Sequence, residues 1–207
     1  MWYTCIIKGV DTMKSISGAI SKTLWAKGII QKEDIDTCRY GLEVFASSAL
    51  EIASILIIAI FIGNFFETLS LFIMFIPLRI YAGGYHADTK IKCYLISLGV
   101  YVLLTLVITI TPKAMFPMLN TYLTAITCVT VLTLSPVIHK NKTVSNKEKR
   151  HYRNISIFIC LTETLIIMLL TAFSPRSSAV VSMAIGQAAV AFSMIGAALK
   201  GKISANK

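Results

Sequence analysis

Between two long apolar stretches the chain reads Arg79-Ile-Tyr-Ala-Gly-Gly-Tyr-His-Ala-Asp-Thr-Lys-Ile-Lys-Cys93, a run that gathers most of its reactive side chains. Cysteine attacks a carbonyl carbon as its thiolate, so it needs a neighbouring base or a positive field. His86 is the candidate base, imidazole being the side chain that exchanges protons near neutral pH, and Cys93 is the candidate nucleophile. Lys90, Lys92 and Arg79 add positive charge, and Cys93 opens an apolar run that would place it at a helix N-terminus. Gly83 and Gly84 permit a tight turn whose N–H groups would hold an oxyanion. Asp88 either orients the imidazole or caps the following helix. Arg79, just after Pro77, either snorkels at the end of an apolar run or grips a peptide carboxylate or loop carbonyls with its fork. Spacing adds a condition: within one helix, residues 86 and 93 would stand about 10 Å apart along the axis, so His86 has to lie in a loop that folds back over the helix start.

No other cluster competes for the chemistry. The sequence has no H-E-x-x-H zinc-protease motif and no G-x-G-D. The five cysteines, at 5, 38, 93, 128 and 160, are scattered and odd in number, which supports neither a disulfide framework nor a zinc site. His139 and His151 flank a Lys/Arg-rich loop at 139–153 with no acidic or thiol cluster beside them. No metal and no cofactor are expected.

The ordered set Arg79, Gly84, His86 and Cys93 resembles the core motif of the AgrB accessory gene regulator family, membrane peptidases that process a quorum-sensing propeptide. The resemblance implies that His86 and Cys93 are a catalytic pair and that Arg79 and Gly84 belong to the same functional segment. It also implies an AgrD-like propeptide as substrate, closure of the cleaved peptide into a thiolactone or lactone, and a homodimer. Outside the motif the likeness lies in hydropathy over most of the chain.

The elements that must position these residues are membrane spans. Over 207 residues, 56% hydrophobic content with a mean hydropathy of +0.73 is too apolar for a soluble fold of this size. The net charge of +10 does not indicate nucleic acid, because the basic residues lie between the apolar runs and the aromatic residues within them. The expected fold is therefore all-α: a polytopic integral membrane protein in the lipid bilayer, with about six transmembrane helices and an N-terminal amphipathic interfacial helix. Spans are expected at 44–63, 65–81, 93–111, 118–138, 154–173 and 179–199. The second is short and Pro77 should break it. A single membrane domain, 1–207, would comprise a cytoplasmic-face segment 1–43, a helical bundle 44–199 carrying the catalytic loop 79–93 and the basic loop 139–153, and a tail 200–207.

Within the first segment, Ile16, Ile20, Leu24 and Trp25 with Lys14, Lys22 and Lys27 predict an amphipathic helix ended by Gly28, a lipid anchor or a substrate-docking surface. A second helix should start at the acidic cluster Glu33, Asp34 and Asp36 and run into the first span. With six spans, 18 of the 20 Lys/Arg residues fall on one side, leaving Lys113 and Arg176 on the other. The positive-inside rule then puts both termini and the His86/Cys93 loop in the cytoplasm of the cell-membrane protein. Glu51 and Glu163, inside spans, raise transport of a peptide or small solute as the alternative function. Gly186 and Gly196 predict close helix packing in the last span.

Overall fold

The computed structural model describes residues 16–85, 89–137 and 145–205, and every regular element among them is helical. Six helices are long and apolar enough to cross a membrane, so the fold is the expected all-α, multi-pass type. The chain divides into two compact units, Met1–Ile55 and Leu56–Lys207.

In the first unit, helix α1 (16–26) stops at Gly28, whose φ of 70° is open to glycine. Gly28 N–H donates to Trp25 O at 2.8 Å and Ile29 N–H to Leu24 O at 3.0 Å, the paired bonds of a Schellman cap. Ile16, Ile20 and Trp25 are exposed, while Ser17 and Ser21 are buried. Ser17 Oγ donates to Glu43 Oε1 at 3.4 Å, so a small polar residue makes the contact with the next helix. A 3-10 turn, Lys32–Asp34, leads into α2 (Ile35–Ile62) with Asp36 in its first turn, where a carboxylate complements the helix dipole.

The second unit is organised around its last helix. Helices α3 (Phe65–Ala82), α4 (Lys90–Ile110), α5 (Phe116–Leu134) and α6 (Asn146–Phe173) all contact α7 (Ser178–Ala205). In hydrocarbon, apolar side chains gain little by leaving lipid, so helices associate through close packing and interhelical hydrogen bonds. That explains the sequence of α7, rich in Ala, Gly, Ser and Val, with Val181, Val190, Ala191 and Met194 fully buried. Leu78 and Ala82 of α3, Val131 of α5 and Cys160 of α6 pack with Val190 and Met194. The buried face of α5 is polar: Asn120, Thr124, Thr127 and Thr130. Its threonine hydroxyls donate to carbonyls one turn back, and Asn120 Nδ2 reaches Thr171 Oγ1 on α6 at 2.9 Å. Gln187 of α7 donates to Cys160 O and Thr164 Oγ1 of α6, each at 3.0 Å. Glu163 is buried in this same seam, whereas Glu51 on α2 is half-buried. Helix α4 is the least enclosed, and Tyr101 holds it to α3 through Thr68 Oγ1 at 2.9 Å and Asn64 Oδ1 at 3.2 Å.

Two expectations need correction. Helix α3 is continuous through Pro77. Proline removes one N–H donor, and packing of the remaining turns on α7 and α6 outlasts that loss. Helix α6 starts at Asn146 rather than 154, so residues 146–153 of the basic loop are helical. Its start is a capping box: Ser145 N–H donates to Glu148 Oε2 at 2.9 Å and Ser145 Oγ accepts from Lys147 N–H at 3.4 Å. His139, Lys140 and Lys142 lie outside the described residues.

Gly186 marks a close crossing of α7 on α3. A Cβ there would stand 2.4 Å from Leu71 O, a backbone atom that yields only if α3 moves, whereas nothing lies within 4 Å of the Cβ position at Gly196. Of the two glycines expected to mediate close packing, only Gly186 does so. Gly186→Ala should destabilise the purified protein by about 1–3 kcal/mol despite the better helix propensity of alanine. Gly196→Ala should leave the thermal midpoint at or above that of the parent.

Candidate active site

The C-terminal end of α3 turns into the loop through a knot of backbone contacts. Gly83 N–H closes the helix on Arg79 O at 3.2 Å, and Gly83 forms a parallel bridge with Val137, whose N–H donates to Ala82 O at 2.9 Å. The Arg79 guanidinium reaches forward over the same turn: Nη1 donates to Gly83 O at 2.6 Å and Nη2 to Tyr85 O at 2.5 Å. The fork thus holds loop carbonyls, one of the roles open to it from sequence. Charge-assisted bonds of this kind contribute about 1.5–3 kcal/mol each.

Both glycines are required by what occupies the space of a side chain. At Gly83, with φ 77°, a Cβ would lie 2.2 Å from Val137 O. At Gly84, with φ 141°, it would lie 1.8 Å from Arg79 Nη1 and 2.6 Å from Ser193 Oγ. The expectation of Gly83 N–H as an open oxyanion donor is corrected, since that group is bonded to Arg79 O. Close approach of neighbouring groups is the physical need the glycine pair meets.

From the knot the chain is passed to α7. Tyr85 N–H lies 3.0 Å from both Ser193 O and Ser193 Oγ, and Lys200 Nζ stands 5.1 Å from the centre of the Tyr85 ring. The bridging segment is itself fastened to α6 through the Ser135–Ser156 hydroxyl pair, and the end of α5 before it through Arg153 Nη2 donating to Leu132 O at 3.2 Å. Ser193, Tyr85 and Val137 were not singled out from sequence. Tyr85 and Ser193 are 108 positions apart, and no local pattern links them.

His86 and Asp88 lie outside the described residues. The chain is described again at Thr89, which is the N-cap of α4: its side chain accepts from Lys92 N–H at 3.3 Å. The cap considered for Asp88 is therefore supplied by Thr89, whose extended backbone suits it. Cys93 follows in the first turn, its N–H bonded to Thr89 O at 3.0 Å. It is a free, half-buried thiol in a first turn that carries no acidic residue, at the end of the helix where the backbone dipole is positive. Arg79, Gly83 and Gly84 are thus gathered in one knot, and Cys93 stands at the start of the next helix. Cys128 and Cys160, by contrast, lie inside the bundle, their sulfurs 3.8 Å apart.

The model of the family described as accessory gene regulator B matches residues 13–195. Among known proteins, the chain is 24% identical to accessory gene regulator protein B of Staphylococcus carnosus over 141 residues, 65% of this chain and 72% of the relative. It is 37% identical to protein FsrB of Enterococcus faecalis over 70 residues, 34% of this chain and 29% of the relative. An AgrB-like protein of Listeria monocytogenes is 30% identical over 103 residues, 50% of this chain and 49% of the relative. No solved structure matches the chain significantly.

The knot predicts a slow-exchanging amide at Tyr85. Gly84→Ala should displace the guanidinium and speed exchange of that amide about tenfold or more, measured by hydrogen exchange in lipid nanodiscs. Gly99→Ala, where nothing lies within 4 Å of the Cβ position, should leave it unchanged.

Proposed function

The chain belongs to the accessory gene regulator B family, and with it to quorum-sensing propeptide processing; from that premise we propose that it is a membrane cysteine endopeptidase with Cys93 as nucleophile and His86 as base. The observation that carries the reading is the placement of Cys93: a free, half-buried thiol in the first turn of α4, four residues beyond a loop whose other end is pinned by Arg79.

The reaction runs in two transfers. His86 accepts the Cys93 thiol proton as sulfur attacks the carbonyl carbon at the propeptide cleavage site. The tetrahedral oxyanion draws on the backbone N–H groups of the first turn of α4, which a helix start offers to an anion. Collapse breaks the C–N bond, His86 returns the proton to the departing amine, and the N-terminal part of the substrate remains as a thioester on Cys93. An internal thiol or hydroxyl of that fragment then attacks the thioester carbon, losing its proton to His86, and Cys93 leaves as the thiolate. The product is a thiolactone or lactone, formed without ATP because the thioester retains acylating power. Water has to be kept away for ring closure to compete with hydrolysis, which suits a site at the apolar interface.

The same proposal includes an AgrD-like propeptide lying on the bilayer, both termini and the Cys93 loop on the cytoplasmic side, and a homodimer. The basic residues support the orientation: Lys92, Lys147, Lys149, Arg150 and Arg153 sit at helix starts on the Cys93 side of the bundle, and the positive-inside rule places such clusters in the cytoplasm.

Cleavage of the cognate propeptide by protein reconstituted in liposomes tests the mechanism. Cys93→Ala and His86→Ala should each lower the rate by a factor of about 100 or more with normal membrane levels, while Cys128→Ala and Cys160→Ala stay within about twofold of the parent. A Cys93→Ala protein that cleaves at a rate near the parent's would overturn the covalent route.

A further inference from the structure

At the end of the bundle remote from Cys93, a cavity of about 410 Å³ opens between the start of α3, the end of α4 and the turn that precedes α5. Its polar lining includes Asn64, Glu67, Thr105, Thr109, Thr111 and Lys113. Glu67 precedes Arg79 by twelve residues, about 18 Å along α3, and Thr109 follows Cys93 by sixteen, about 24 Å along α4. The cavity therefore sits at the opposite headgroup level from the candidate active site.

We propose that this cavity binds the headgroup of a phospholipid that carries a primary amine. The lining offers both acceptors and a cation. The Thr109 hydroxyl donates to Thr105 O at 2.9 Å and the Thr111 hydroxyl to Val107 O at 2.6 Å, which leaves their oxygen lone pairs to serve as acceptors. The Glu67 carboxylate adds charge to that acceptor set, and neither Glu67 nor Lys113 has an ion-pair partner among the described residues. A carboxylate with hydroxyl oxygens suits an ammonium group that has three N–H donors, and the lysine suits a phosphate beside it.

An amphiphile fits better than a soluble zwitterion, because α4 is exposed at Leu106 and Val102, one and two turns from Thr109 on the same helix face, leaving a path for acyl chains beside the cavity. The volume lies within the range of small-molecule sites. The site needs none of the residues assigned to peptide processing.

Titration of the detergent-solubilised full chain with short-chain phosphatidylethanolamine, its N-trimethylated phosphatidylcholine counterpart and an amidated alanyl dipeptide decides the matter, with the thermal midpoint as readout. The ethanolamine lipid is expected to bind about tenfold or more tightly than the choline lipid, whose head has no N–H to donate. Glu67→Gln should erase the preference, whereas Lys113→Gln should weaken both lipids about equally and Lys113→Arg should retain the parent affinities. Lys113 is exposed, so its replacement leaves the fold intact. Equal binding of the two lipids, or a preference that survives Glu67→Gln, would overturn the proposal. Binding of the dipeptide as tightly as the ethanolamine lipid would also overturn it, and would reassign the cavity to peptide amines.

Discussion

The grip of the Arg79 guanidinium on the Gly83 and Tyr85 carbonyls sets most of what surrounds it. A planar cation that bonds two carbonyls in one turn has to lie flat against the backbone, and the place it takes is the place of a side chain at position 84. Glycine there is thus a consequence of arginine at 79. The second glycine follows from Val137, which approaches as an extended neighbour from the segment after α5. A lysine could neutralise the same region but could not hold two carbonyls at fixed angle. The fork fixes the direction in which the chain leaves α3, and Ser193 of α7 receives it at Tyr85.

That arrangement rests on a bundle built for lipid. The helix with the smallest side chains, α7, is the most enclosed, while Leu, Ile and Phe side chains of α2, α4, α5 and α6 are exposed. Where lipid solvates apolar groups as well as a protein core does, enclosure selects for close approach and satisfied polar groups. Threonine hydroxyls on α5 bonded to their own helix meet the second requirement, and Gly186 against the Leu71 carbonyl meets the first. The rigid reference that holds the loop at one end is therefore α7, and α4, which carries Cys93, is the lightly attached partner that Tyr101 tethers.

Much of this was legible in the sequence because hydropathy, turn chemistry and charge are local signals. The six spans, the Gly28 cap and the grouping of Arg79 with the glycines follow from such signals. The start of α6 was equally local. Ser145-Asn-Lys-Glu148 is a capping box, but the Lys/Arg density of the same stretch reads as a loop when charge is weighed first. Pro77 illustrates the opposite error, a strong local rule overridden by packing. Thr89 in place of Asp88 is a one-residue shift in cap position, and residue types alone do not resolve it. The contacts of Tyr85 with Ser193 and of Gly83 with Val137 are tertiary and leave no periodic trace. They also show why both positions lack a side chain: each Cβ would meet a neighbour brought there by the fold.

Acid quenching of the reconstituted protein within the first turnover on its cognate propeptide, followed by intact-mass and fragment analysis, addresses the central claim most directly. The account predicts the N-terminal peptide fragment attached to Cys93 as an adduct that hydroxylamine removes. Full turnover with Cys93 unmodified at every quench time, or the adduct on Cys38, Cys128 or Cys160 instead, would contradict it.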